Sequence, residues 1–205
     1  MKNILPIIFI GIMACTTPKS ERLPYLGNMV IEGSDTTFHT IQDFQFLDQD
    51  SSVVTNETLS DQIYVADFFF TSCPTICPKM KAQMLRVYEK FEGNEEVAIL
   101  SHTIDPVYDT IPLLNDYAER LGINTDQWKF LWAEQDYVYD IAEKSYMSIA
   151  DEDENAPGGF VHSGAFLLVD KKRRIRGFYD GTVPEQVDVL MNDIEKLLKE
   201  YETGK

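Results

Sequence analysis

The chain predicts an α/β fold in which a mixed central sheet is flanked by helices and preceded by an N-terminal β extension. Three observations carry this reading. From residue 63 onward, apolar runs of strand length alternate with segments whose apolar residues recur at three and four. The run at 63–70, IYVADFFF, is nearly continuous, as in a strand buried on both faces of a sheet. The last two strand-like runs, 160–169 and 175–179, flank a short basic turn at 170–174, which joins them as an antiparallel pair and makes the sheet mixed.

Each element has its own signal. Residues 16–24, TTPKSERLP, are polar and contain proline, the composition of an extended tether. Across 25–55, short apolar runs at 29–31, 38–41, 44–47 and 53–55 alternate with Gly, Asn, Asp and Ser clusters, which predicts small strands and a hairpin. In the strand at 63–70 the apolar pattern is broken only by Asp67. Residues 75–91 read as a helix, with Met80, Met84, Val87, Tyr88 and Phe91 on one face and Gly93 as a stop. A strand follows at 97–104 and ends in Asp105-Pro106, then a helix at 110–121 closed by Gly122. A short strand at 128–133 and a helix at 134–147 come next. Residues 151–159, DEDENAPGG, form a loop by composition, and 184–201 is a closing amphipathic helix. The sequence has no internal repeat, low-complexity tract or second domain.

At 205 residues and 44% hydrophobic content, the chain fits one domain whose core needs no disulfide staples. A net charge of −16 argues against nucleic acid or an anionic lipid surface as the main partner, and leaves cationic metals and basic protein patches open. The first of three cysteines, Cys15, closes the segment MKNILPIIFIGIMAC, in which Lys2 precedes a short apolar stretch at 4–13. That stretch is too short to span a bilayer, which takes about 20 apolar residues. Ile12-Met13-Ala14-Cys15 resembles the lipobox of bacterial lipoproteins. The resemblance implies a leader at 1–14, cleavage before Cys15, acylation of its sulfur, a tether at 15–24 and a folded domain at 25–205. Each buried acyl CH₂ contributes about 0.8 kcal/mol, so such an anchor holds the domain at a membrane. A plain signal peptide or signal-anchor is the alternative, and either exports the domain. With no acidic cluster at 16–21, the expected location is the periplasmic side of the inner membrane.

The other two cysteines, Cys73 and Cys77, are four apart, with Pro74 and Pro78 fixing φ beside them. Four residues make about one helical turn, so both sulfurs can point into one small volume. A strand delivering them to a helix start sets backbone N–H groups beside the thiols and favours thiolate, the form that binds soft metals and attacks disulfides. A structural disulfide, redox exchange and metal binding are the three readings. The first is weak, because a bridge between residues this close restrains the unfolded chain only a little.

With the cysteine pair at the first strand-to-helix junction, the chain resembles a thioredoxin-like fold carrying an N-terminal extension. More specifically, DFFFTSCPTICPKM, TIDPVYDT, WKFL, VHSGAFLLVD and GFYDG occur in the order and approximate spacing of the Sco/SenC family of copper-handling thioredoxin-like proteins, over about residues 25–198. The resemblance implies that His162 lies against the cysteine turn, where thiol oxidoreductases carry a cis-proline. It further implies one copper per chain held by Cys73, Cys77 and His162. Two sulfurs and one imidazole nitrogen suit trigonal Cu(I), or Cu(II) with a fourth ligand, whereas structural zinc normally takes four protein ligands. The implied acceptor is the dinuclear copper centre of a cytochrome c oxidase subunit, with a copper donor protein upstream and no nucleic acid involved. Such a protein is a carrier without catalytic turnover, and transfer rather than storage follows if the site lies at an exposed turn.

Asp67 resembles the buried acid of thioredoxins, which exchanges protons with the cysteine pair; an edge-facing or backbone-satisfied carboxylate is the plainer reading. It keeps open a thiol:disulfide oxidoreductase with Cys73 attacking, Cys77 resolving and Asp67 accepting the proton. A peroxidase, suggested by the F-T-x-x-C-P-like turn, leaves His162 without a role. Met80 and Met84 have core spacing, Asp109 is expected to cap the helix at 110, and His39 and His102 are expected to be structural. Asp105 sits where the metal mouth could be, and the DEDE run is expected to be a solvated loop beside the histidine strand.

Overall fold

A computed structural model describes residues 22–204 apart from 34 and 124–125. The expected leader, Cys15 and most of the tether lie outside the described residues. The apolar run after Gln62 forms β5 (Ile63–Phe69), all seven residues of which are buried. It lies at the centre of a five-stranded sheet in the order β11–β10–β5–β6–β7. β6 (Val97–Thr103) and β7 (Trp128–Leu131) continue parallel to it, whereas β10 (Ala165–Val169) runs antiparallel between β5 and β11 (Ile175–Asp180). The sheet is therefore mixed, as the hairpin at the end of the sequence predicts.

Side-chain alternation sends the two faces of the sheet to different partners. On one face Phe69 and Phe130 pack with Tyr117 of α2 (Ile111–Leu121), and Trp128 with Tyr88 of α1 (Cys77–Phe91). α4 (Pro184–Glu202) lies beside α1, tied to it by the pairs Arg86–Asp188 and Lys90–Glu195. On the other face Phe68 and His102 stack at 4.9 Å and meet Tyr146, just past α3 (Gln135–Lys144). Phe46 closes that cluster, 5.0 Å from His102.

The N-terminal extension is two hairpins rather than one. β1 (Met29–Glu32) pairs with β2 (Asp35–Phe38), and β3 (Gln45–Leu47) with β4 (Val53–Thr55). The second strand of the first hairpin is mostly the polar Asp35-Thr36-Thr37 stretch and takes only Phe38 from the apolar run at 38–41, because a two-stranded ribbon does not require an apolar face on every strand. The segment 151–159 is not simply a loop. Its acidic start belongs to β8 (Ala150–Glu152), paired antiparallel with β9 (Phe160–His162). The run 160–169 is accordingly two strands, broken at Ser163-Gly164, where Ser163 N–H donates to Ile149 O and Gly164 O accepts from Gly181 N–H. α3 stops three residues short of the expected Met147, which takes φ 50° as the chain turns.

Far from the cysteines, the end of the sheet is closed by a saturated polar network. Arg176, 2% exposed, donates to Asp170 at 3.1 Å, Glu200 at 2.8 Å, Leu23 O at 2.7 Å and Pro24 O at 3.0 Å. A guanidinium carries five donors in a fixed fork, and here the fork stitches the N-terminal segment, the β10–β11 turn and α4 together.

Candidate metal centre

The cysteine turn forms because β5 ends in aromatic residues that anchor it, after which Pro74 and Pro78 restrict the backbone. Cys73 N–H bonds Phe70 O at 3.3 Å, and α1 begins at Cys77, with Pro78 in the first turn, where its missing N–H costs nothing. β10 runs back along β5, so the residues just before it return to the cysteine end of the sheet. Along β9, Val161 faces outward while His162 turns inward and is buried.

The result is a three-residue cluster. Sγ of Cys73, Sγ of Cys77 and a ring nitrogen of His162 lie within 4.8 Å of one another. His162 Nε2 is 3.2 Å from Cys77 Sγ, and Nδ1 is 3.2 Å from Ser163 O. The carbonyl accepts only from an N–H, which assigns the proton to Nδ1 and leaves the Nε2 lone pair facing the sulfurs. Phe70 meets the imidazole edge-on at 5.9 Å. Gly158, at φ +86°, packs on the same Phe70 and on Pro74: a Cβ there would lie 2.9 Å from the ring, so the β8–β9 arm closes over the cysteine turn only with glycine.

The two thiols are not equivalent. Burial pushes the Cys77 thiol well above its ordinary value, with the neighbouring Cys73 adding to the shift. At Cys73 burial acts the same way, but hydrogen bonds from the backbone of Thr75 and Cys77 outweigh it and the net shift is downward. The helix start thus favours thiolate at Cys73 alone, not at both sulfurs. Burial also lowers the His162 value, keeping the imidazole neutral and able to coordinate. Asp67 is 5% exposed, and burial pushes its carboxyl up to about 7, partly opposed by a 2.5 Å hydrogen bond from Ser101. Ser101 in turn accepts from Trp128 Nε1 at 2.9 Å. Asp67 is a buried acid with a side-chain donor rather than an edge carboxylate, and it stands outside the three-residue cluster.

Two expectations are corrected. Asp109 does not cap α2, whose N-cap is Thr110 without a side-chain bond. Its fully buried carboxylate instead accepts from Thr71 N–H at 3.0 Å, from the Thr71 hydroxyl and from Thr103 Oγ1 at 2.6 Å, fastening the cysteine turn to the end of β6. The site is also not an exposed turn: Cys73, Cys77 and His162 are 7%, 6% and 8% exposed. Open clefts flank it instead. One of about 450 Å³ is lined by Ile76, Ser163, Gly164 and Phe178, and another of about 460 Å³ by Thr71, Ser72, Tyr108 and Lys81.

Other residues fall where their spacing puts them. Met80 and Met84 are core, His39 Nε2 bonds Ser145 O at 2.7 Å, and His102 is in the aromatic cluster. Asp105 accepts from Tyr108 N–H within its own turn. Thr71, Thr75 and Gly158 shape the site; sequence reasoning missed Thr71 and Gly158 because their partners are distant, and Thr75 because part of its effect comes from its own backbone N–H on Cys73. Among the described residues no helix is long and apolar enough to cross a membrane.

Comparison with known proteins agrees with this architecture. The SCO1/SenC family model matches residues 32–199. The SCO1 protein homolog of Bacillus subtilis is 30% identical over 163 residues, covering 78% of this chain and 84% of that protein. A SCO1/SenC family lipoprotein from Bacillus anthracis superposes with a TM-score of 0.71 at 25% identity, over 78% of this chain and 95% of its own. BsSco, a member of the Sco family of cytochrome c oxidase assembly proteins in which a disulfide switch was identified, gives 0.68 at 29% identity, over 78% of this chain and 93% of its own. The fold, the cysteine and histidine cluster and the family match together make this chain a member of the SCO1/SenC family.

Proposed function

We propose that the protein is a membrane-tethered, periplasm-facing copper carrier that binds one copper through Cys73, Cys77 and His162 and passes it to the copper-bearing subunit of cytochrome c oxidase. The observation that carries this reading is the convergence of two sulfurs and one imidazole nitrogen within 4.8 Å, a soft donor set suited to Cu(I). Copper is cargo here, and the protein's contribution is to hold three donors ready. Residues 1–14 act as the leader, Cys15 carries the acyl anchor, and 25–205 form the working domain. Handover proceeds as an incoming sulfur or imidazole replaces one donor at a time, entering from a flanking cleft.

The test uses the reduced chain, with copper stoichiometry, the Cu(II) absorption spectrum and turnover of a model disulfide measured together. One copper per chain, sulfur-to-copper charge transfer and negligible turnover are expected. Absence of the charge-transfer band would overturn the assignment.

A second reading, a thiol:disulfide oxidoreductase, is supported by the opposite shifts of the two thiols and by the raised value at Asp67. Cys73 then attacks as thiolate, Cys77 resolves the mixed disulfide, and Asp67 takes the proton that Cys77 releases. A disulfide between the pair offers no thiolate to copper, so the two activities exclude each other at any instant. Fast turnover insensitive to His162→Ala would favour this reading.

A further inference from the structure

The strand register places the cysteine site and the chain's entry point at opposite poles. Leu167 lies opposite Ala66 and Val169 opposite Tyr64, so the β10–β11 turn sits at the N-terminal end of β5, whereas Cys73 follows its C-terminal end. Seven strand residues at about 3.3 Å each separate the two poles by about 23 Å. Residues 22–26 are seated at the far pole: Leu26 bridges Ile175, and Arg176 holds the carbonyls of Leu23 and Pro24. From Arg22 back to Cys15, a fully extended chain reaches at most about 25 Å.

Charge is distributed unevenly between the poles. In a chain of net charge −16 with 18 Lys and Arg, Arg22, Lys171, Lys172, Arg173, Arg174 and Arg176 all lie at this end. Four acids answer them: Asp43 pairs with Arg173, Glu96 with Lys171, Asp170 with Arg174 and Arg176, and Glu200 with Arg22 and Arg176. Further acids share this end, Glu57 beside Lys171 and Arg173 and Glu95 ahead of β6, so the basic surface is confined to one cleft lined by Arg22, Lys172, Arg174, Arg176 and Glu200, where Arg22 and Lys172 are exposed.

The same pole carries an apolar projection. The β1–β2 hairpin is rooted there by the Tyr25–Phe38 ring contact at 4.4 Å, with Arg174 4.4 Å from the Tyr25 ring centroid and Ile41 N–H on Arg173 O. Met29, Val30 and Ile31 are 54%, 55% and 70% exposed. Because successive strand residues point to opposite faces, both faces of β1 present apolar surface. Apolar side chains beside basic ones, next to a lipid attachment point, are the features of a membrane-contacting surface.

Resting on the reading of Cys15 as the anchor, we propose that the β1–β2 hairpin and the basic turn at 171–174 lie on the anionic headgroup surface of the membrane, holding the Cys73–Cys77–His162 site on the side away from it. The exposed Asp35 follows the hairpin tip, so β1 lies along the interface rather than entering tip first. The overall negative charge excludes a general attraction to anionic lipid, and the pole supplies a local one.

The full chain reconstituted into phosphatidylglycerol vesicles with brominated acyl chains tests this, with acylation of Cys15 read separately by mass spectrometry. Ile31→Trp at the hairpin and Val107→Trp at the metal pole, the latter position 82% exposed, are compared against the native Trp128 and Trp132 baseline. Added emission from Ile31→Trp is expected to be quenched at least about twofold and that from Val107→Trp to be unaffected, with Lys172→Glu or high salt weakening the quenching. An acylated chain showing equal quenching at both positions, or none at Ile31→Trp, overturns the proposal and leaves the anchor intact. An unacylated chain overturns the anchor, and the proposal then survives only if phosphatidylglycerol vesicles still quench Ile31→Trp and phosphatidylcholine vesicles do not.

Discussion

The two ends of β5 solve opposite problems with polar groups. At its N-terminal end, Arg176 and its partners Asp170 and Glu200 are buried, and the guanidinium has an acceptor on each of its three nitrogens. At its C-terminal end two thiols and an imidazole are also buried, but their partners include one another, His162 Nε2 lying 3.2 Å from Cys77 Sγ. Charged bonds to fixed partners hold a fold, whereas weak bonds between soft donors can be exchanged for a metal. The contrast implies that stability and metal affinity can be altered separately by acting on one end or the other.

Arg176→Met attacks the saturated end and removes the most deeply buried partner of Asp170 and of Glu200, leaving them Arg174 and Arg22. An unfolding free-energy loss of about 3–5 kcal/mol is expected in urea titrations, with copper stoichiometry per folded chain unchanged. A loss of copper binding in the folded fraction would show that the two ends are coupled.

Asp67 lies between them, and its effect depends on pH. Its ordinary value is 3.8 and its folded value about 7. Between these the folded state keeps a proton that the unfolded state has released, so stability present at low pH is lost as pH rises and is fully lost above about pH 7. Asp67→Asn should therefore raise stability at pH 8 by up to about 4 kcal/mol and change little at pH 4. His102 acts in the opposite sense: burial lowers its value from 6.5 to about 4, so the wild-type chain loses stability as pH falls through that window. Urea midpoints across about pH 4–8 check both.

At the cysteine end, Cys73→Ser should cost at least about 100-fold in copper affinity, about 2.7 kcal/mol, and leave the stability within about 0.5 kcal/mol of wild type. Competition with a Cu(I) chelator measures the first, and a smaller loss would mean that Cys73 is not a ligand. The smallest effect is expected at Asp109→Asn, which weakens the bonds holding Thr71 and shifts the cysteine turn. Copper affinity should fall about tenfold while stoichiometry holds at one.

Sequence reasoning reached the sheet because its strands are written locally. β5 and β6 are apolar runs and α1 carries its core residues at helical spacing, so each element is visible without its neighbours. His162 was legible only through the Sco/SenC resemblance, since it lies 85 residues from Cys77 and nothing in the spacing ties them. Asp109 shows where local reading misleads. An Asp ahead of Thr-Ile-Pro has the pattern of a helix cap, yet its carboxylate turns to Thr71, 38 residues upstream. Burial of the cysteine turn was equally invisible, because the cover comes from the arm that brings Gly158 onto Phe70 and Pro74.

The break at Ser163-Gly164 has a consequence for how the centre could disappear. His162 faces inward because its strand alternates in step with the break that follows. Removing one residue from that two-residue joint would shift the frame by one position and rotate the imidazole to the solvent side, with every ligand still present in the gene. An inventory of cysteines and histidines alone would therefore miss such an inactivated descendant; the length of the joint has to be counted too.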